Sequence, residues 1–273
     1  MFEARQTNTM RRSLFSMLEV TYHASVQKVR SSHRNAVWAI MTSILQAGMF
    51  VGGFYLMFYF IGAREAKLRG DFMMYLLSGI YLYLCHIRAV AAVSAAEGGT
   101  SSLMQHGPMN PIVAIASSLI SAFYVQTISL LVILFALHTF SGTVTFHNWK
   151  AALMIYLLAW FSGFGVGLVF RAMRPWSPEV TRFAQQAYMR INMVASGKMF
   201  VANMVPGFII SMFDWNPLFH IVDQMRGAVF VNYFPHHTNW EYPLYVACGL
   251  LIVGLMAEFF TTKRASMSWD MGR

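Results

Sequence analysis

Long apolar stretches separated by charged or turn-forming residues set the rhythm of this chain. Six of them, 36–61, 72–93, 112–137, 151–170, 188–210 and 244–260, approach or exceed the length of a membrane-crossing helix, which is about 20 mainly apolar residues. The pattern therefore predicts an all-α integral membrane protein with six transmembrane helices. Stretches 36–61 and 112–137 are the plainest; 188–210 is interrupted by Arg190, Asn192, Lys198 and Asn203. Residues 11–30 follow a different pattern, with Leu14, Phe15, Leu18, Tyr22, Val26 and Val29 on one helical face. Arg12, Glu19, His23, Gln27 and Arg30 fall on the other side. Such a helix does not span but lies in the headgroup plane; the other reading is a surface helix packed on protein. The layout expected is an N-terminal amphipathic interface helix within 1–35, a six-span domain over 36–262 and a short tail over 263–273.

Composition agrees with a bilayer and excludes much else. Of the 273 residues, 57% are hydrophobic and 11% charged, against about 25% charged in soluble domains. No polar stretch is long enough to fold round a core of its own. The net charge of +9 is read as positive-inside bias and attraction to anionic lipid, not as a nucleic-acid footprint. Six basic residues precede the first span (Arg5, Arg11, Arg12, Lys28, Arg30, Arg34). Arg171, Arg174, Arg182 and Arg190 lie between spans four and five or at the start of span five, and Lys263, Arg264 and Arg273 follow span six. These place both termini in the cytoplasm, although the segment "GAREAKLRGD" carries three basic residues on the side assigned outward. Cys85 and Cys248 both sit in apolar runs without metal-ligand spacing. The first 35 residues lack the short apolar core of a cleavable leader.

Two connecting segments carry turn chemistry. In "SAAEGGTSSLMQHGPMNP", 94–111, Gly98 and Gly99 stop one helix, Thr100 or Ser101 caps another, and Gly107-Pro108 ends it. This is a short broken helix on the cytoplasmic side; a plain linker is the alternative. In 206–233, Pro206-Gly207 breaks the chain, and Asn216 N-caps a helix with Pro217 at its first position. Two short helices result, neither long enough to cross. Irregular backbone at membrane depth must be shielded by protein or face water, so these read as re-entrant helices at an outer gate. Asp223 and Arg226 are spaced to neutralise each other across one turn.

Ionisable residues inside apolar spans are functional candidates because each is costly to hold there. Arg88, beside His86 near the inner end of span two, is also placed to snorkel to the interface. Lys198 lies well inside 188–210 and is expected to face a protein interior or a wet cavity, unless that span starts later and leaves it interfacial. Ser196 and Gly197 beside it permit close helix approach. Enzyme signatures are missing: no G-x-x-x-x-G-K-[ST], H-E-x-x-H, paired-Asp motif or G-x-S-x-G occurs. His236 and His237 have no third ligand nearby and read as an exposed loop.

The order of these parts resembles the permease subunit of type-2 ABC exporters, especially those of capsular polysaccharide or O-antigen. The resemblance covers nearly the whole chain and is most specific over "SGKMFVANMVPGFIISMFDWNPLFHIVDQMRGAVFVNYFP". Ser196-Gly197, the broken segment, Asn216-Pro217-Leu218 and Arg226 are similar to family features, as is the N-terminal helix with Glu19, Leu18 and Val26. The 94–111 segment, with Glu97, Gly98, Gly99, Gln105 and His106, resembles the element that docks on the ATPase. Lys198 departs from the pattern, where an apolar residue is usual. The resemblance implies a bacterial inner-membrane homodimer driven by two copies of a separate ATP-binding-cassette subunit. That partner would bind ATP and Mg, so this chain needs no cofactor or metal. A periplasmic adaptor is a further expected partner. Lipid-linked polysaccharide would pass between the two permeases, with Lys198, Ser196, Gly197, Tyr81, Tyr83, Phe123, Tyr124 and Trp160 as candidate conduit residues. Each aromatic is equally suited to packing or to facing lipid. The alternative function on the same scaffold is export of drugs or small lipids. A membrane-embedded transferase is more remote, since no cluster of catalytic carboxylates or histidines is visible.

Overall fold

A computed structural model describes residues 10–32, 36–61, 71–96, 111–142 and 144–270. Among them are nine α-helices, one 3-10 turn and no strand. In chain order they are α1 (Met10–Ser32), α2 (Ala36–Ile61), α3 (Phe72–Ser94), α4 (Pro111–Ser141), α5 (Trp149–Met173), α6 (Pro178–Ala195), α7 (Gly207–Phe213), α8 (Pro217–Val229) and α9 (Glu241–Asp270), with the 3-10 turn at Ala202–Met204. Five helices (α2, α3, α4, α5 and α9) are long and apolar enough to cross a membrane.

Local chemistry explains several helix starts. Asp71 accepts from the Met73 amide at 2.9 Å to begin α3, and Asn148 accepts from Ala151 at 3.1 Å to begin α5. Each satisfies an amide that the first helical turn leaves without an intrahelical partner. At α8 the expected Asn-Pro start is present: Asn216 accepts from the Leu218 amide at 3.0 Å, and Pro217 takes the first helical position.

The bundle is organised around α3, the most enclosed of the long helices, and α5. In α5, "FSGFGVGLVF" places glycines where neighbouring backbones come closest. A Cβ at Gly163 would lie 2.5 Å from the His86 carbonyl oxygen of α3, and one at Gly167 2.8 Å from the Val93 Cβ. With little hydrophobic drive between helices in lipid, such close approach is a main source of packing energy. Toward the end of the bundle where α3 finishes, the Arg171 guanidinium donates to Glu258 of α9 at 3.0 Å and to the Ala96 carbonyl at 2.8 Å. This joins α3, α5 and α9 through a charge that is almost fully enclosed.

Helix α1 packs chiefly on α4, with Ser25 and Val29 buried and Lys28 donating to Ser118 at 2.6 Å. The expected amphipathic helix is present and does pack on protein. However, its buried face is rotated from the apolar arc, leaving Leu18 and Tyr22 outward with Glu19, and Val26 half-buried.

The stretch 188–210 departs from expectation. It is not one helix: α6 ends at Ala195, and the chain turns through Ser196 and Gly197 before α7 begins at Gly207. Gly197 has φ +69°, the left-handed region that favours glycine. The apolar pattern across 193–210 is real, but it covers a turn and two short elements instead of a continuous span.

Candidate functional site

Side chains of α6, of the turn after it and of α8 meet α3 in order along its length. Ser94 donates to Gln185 at 3.0 Å, His86 Nε2 meets the Tyr188 hydroxyl at 2.8 Å, and the Tyr83 hydroxyl donates to the Met189 carbonyl at 3.1 Å. Further along, Lys198 packs against Gly79, where an added Cβ would lie 2.8 Å from the lysine Cβ. Arg226 then stacks over the Tyr75 ring at 4.5 Å. Helix α6 is therefore held to α3 largely by polar bonds, with Phe183, Ile191 and Val194 left outward.

At the centre is a buried polar knot. Arg226, 1% exposed, donates to the carbonyls of Gly197 and Lys198 at 3.0 Å each and to that of Phe200. These carbonyls belong to the turn that follows α6; Gly197 also accepts from the Phe200 amide at 3.3 Å, but for Lys198 and Phe200 the guanidinium fork serves as the partner. The Asn216 side-chain amide adds bonds to Asn192 and to the Ala195 carbonyl, both at 3.0 Å. Thus α8 holds both the last turn of α6 and the loop after it. Gly197 is confined from the other side, since its Cβ position lies 2.5 Å from the Phe219 ring.

The expected neutralisation of Asp223 by Arg226 is not what the structure shows. Asp223 accepts from the Tyr233 hydroxyl and, at 2.8 Å, from Thr238, whereas Arg226 turns to the carbonyls. Both lie on α8, but each is bonded to groups outside that helix: Asp223 to residues that follow it and Arg226 to carbonyls that precede it. Burial, together with the neighbouring Asp223 carboxylate, pushes the Tyr233 phenol well above its usual pKa, so it remains a donor. Asp214 is likewise engaged, with His220 at 3.1 Å.

Lys198 is 2% exposed, and its ammonium nitrogen has no hydrogen-bond partner among the described residues. No carboxylate pairs with it there, neither Asp214 nor Asp223. Its nitrogen instead sits 3.4 Å from the Tyr83 ring centroid, 5.4 Å from that of Phe54 and 5.5 Å from that of Phe50. This is an aromatic cage built by α2 and α3, and ring faces attract a cation. A groove of about 360 Å³ opens beside it, with Phe50 and Phe54 of α2 on one wall and Met193 of α6 on the other. The Ser196 hydroxyl, also buried, has no hydrogen-bond partner among the described residues.

The candidate aromatics do not share one surface. Only Tyr83 joins Lys198. Tyr81 is buried and bonds to Ser129 of α4, at 3.1 Å to its hydroxyl and 3.2 Å to its carbonyl. Phe123 packs on Trp160 at 4.8 Å between centroids, and the Trp160 indole donates to the Leu119 carbonyl. Tyr124 points outward from α4. Sequence spacing assigned these rings to spans but not to faces. Phe50 and Phe54 were missed, although their spacing of four residues places them on one helix face. Glu97, Gly98, Gly99, Gln105 and His106, expected to dock on an ATPase, lie outside the described residues. No family model matches the chain, and no curated protein does.

Proposed function

We propose that this chain is the membrane-spanning permease subunit of an ATP-driven exporter that moves lipid-linked polysaccharide, capsular in kind, across a bacterial inner membrane. The observation that carries the reading is the interrupted segment: α6, the Gly197 turn and α8 run the length of a helix long enough to cross, tied to it by side chains. In this reading α6 and the turn form a sixth, broken crossing, and α7 and α8 are re-entrant helices at the outer gate. Both termini are then cytoplasmic, and α1 is the interface helix beside the ATPase. Two copies of the chain form the conduit, and two copies of an ATP-binding-cassette subunit bind ATP and Mg. The groove beside Lys198, walled by aromatic and methionine side chains, supplies the weak, sequence-tolerant surface on which sugar rings slide, and the caged ammonium attracts acidic sugars or an anchor phosphate.

The test is deletion of the gene in its encapsulated host, with complementation by the intact chain. Lipid-linked polymer should accumulate inside the cell while surface polysaccharide disappears, and the ATP-binding subunit should co-purify with the complementing chain. Unchanged surface polysaccharide with loss of small-lipid or drug efflux replaces this reading by the alternative exporter.

A further inference from the structure

A second cavity, of about 500 Å³, lies at the opposite face of α3, where α1 crosses α2 and α4. Two cations stand in its wall, Arg88 of α3 and Lys28 of α1, and no Asp or Glu lines it among the described residues. Arg88 does not snorkel away. It donates to the Ser43 hydroxyl at 2.6 Å and to the Gln46 side-chain oxygen at 2.7 Å, both neutral acceptors on α2. Those bonds orient the guanidinium without balancing its charge, and among the described residues no carboxylate does so; within an apolar bundle such a cation attracts an anion. Lys28 is aimed from the other side, held by Ser118 of α4. The remaining wall is made by small apolar residues, among them Ala91, Ala92 and Ala122, with the Thr42 and Ser121 hydroxyls between. Small residues usually bring membrane helices together; here they leave room.

We propose that this cavity binds the phosphate group of a lipid-anchored molecule, with Arg88 and Lys28 on the phosphate oxygens and the alanine wall beside the attached hydrocarbon. Guanidinium forks match phosphate geometry, and an apolar wall next to a cationic end selects an amphipathic ligand over a free ion. The inference requires only that the helices sit in a bilayer; it does not depend on the export reading. Two sources present this chemistry: a bilayer phospholipid and a polyprenyl phosphate carrier.

Purified full-length protein in a neutral detergent is titrated separately with phosphatidylglycerol, a polyprenyl phosphate and inorganic phosphate, and bound ligand is measured by native mass spectrometry. At least one lipid should bind, and Arg88→Gln should weaken it about tenfold or more, the loss typical of removing a charge-assisted bond. Arg88→Lys should recover most of the affinity. Ala122→Leu, which adds bulk to the cavity wall and leaves both cations in the chain, should also weaken binding and guards against a folding defect in the arginine variant. Tighter binding of phosphatidylglycerol makes the site a phospholipid site, and tighter binding of the polyprenyl phosphate makes it a carrier site. Inorganic phosphate binding as well as either lipid overturns the proposal, as does lipid binding unchanged in both Arg88→Gln and Ala122→Leu.

Discussion

Replacing Gly197 by alanine tests the idea that the turn after α6 is built as one unit with α8. Two costs arise. The backbone at φ +69° is disfavoured for any residue with a Cβ, by about 1–2 kcal/mol. The new methyl would also sit 2.5 Å from the Phe219 ring. That ring is 1% exposed and wedged against Phe200 and Phe213, with centroids 6.1 and 6.4 Å away, so it cannot swing aside. Overpacking of this kind costs about 1–3 kcal/mol. Together the substitution should destabilise by about 2–5 kcal/mol, the sum of those two terms. At about 2 °C or more per kcal/mol for a chain of this size, that is a fall of at least about 4 °C in Tm. The matched control is Gly207→Ala at the start of α7, where nothing lies within 4 Å of the Cβ position and φ is not left-handed. Tm is read by intrinsic fluorescence on detergent-purified protein. If Gly197→Ala melts with Gly207→Ala and the parent, the left-handed turn against Phe219 is wrong.

Other substitutions probe the same knot and its surroundings. Arg226→Met leaves the Lys198 and Phe200 carbonyls unpaired, while Gly197 keeps the Phe200 amide, and should cost about 2 kcal/mol or more, since each buried acceptor left unpaired costs about 1–3 kcal/mol; faster amide hydrogen exchange over 197–200 should accompany the loss, and unchanged exchange there refutes it. Lys198→Met keeps the packing on Phe50, Phe54 and Tyr83 while removing the charge, so on the proposed function the chain should still fold and bind an ATP-binding subunit while polysaccharide export falls at least about tenfold, the effect of losing one charge-assisted contact; full export with the variant removes Lys198 from the proposed conduit. Leu18→Asp combined with Val26→Asp should withdraw α1 from lipid while the long helices stay inserted, because Leu18 is outward and Val26 half-buried; lipid-phase photolabelling of α1 that does not decrease counts against its interfacial position.

Local properties alone were enough to specify several of the helices. Apolar runs located α2, α3, α4 and α5 to within about four residues at each end and the apolar part of α9, whose helix continues ten residues past the expected end at Phe260, because apolar length is sufficient for a spanning helix. Asn216-Pro217 marked the start of α8 for an equally local reason: a side-chain cap and a proline act within one turn. Hydropathy misread 188–210, because averaging cannot register that Gly197 adopts a left-handed backbone, a conformation enforced by Phe219 and Arg226 from a later helix. The partners of buried charges were likewise decided only by the tertiary structure. Asp223 and Arg226 are neighbours on one helix, yet Tyr233, Thr238 and the carbonyls of Gly197, Lys198 and Phe200 claim them, since a desolvated charge takes the best-aligned groups that packing brings to it. Lys198 was identifiable as an unusual cation within an apolar run, but its cage of Phe50, Phe54 and Tyr83 is assembled from residues more than a hundred positions away. Helix existence follows from neighbours along the chain. The environment of a buried cation follows from which helix faces meet.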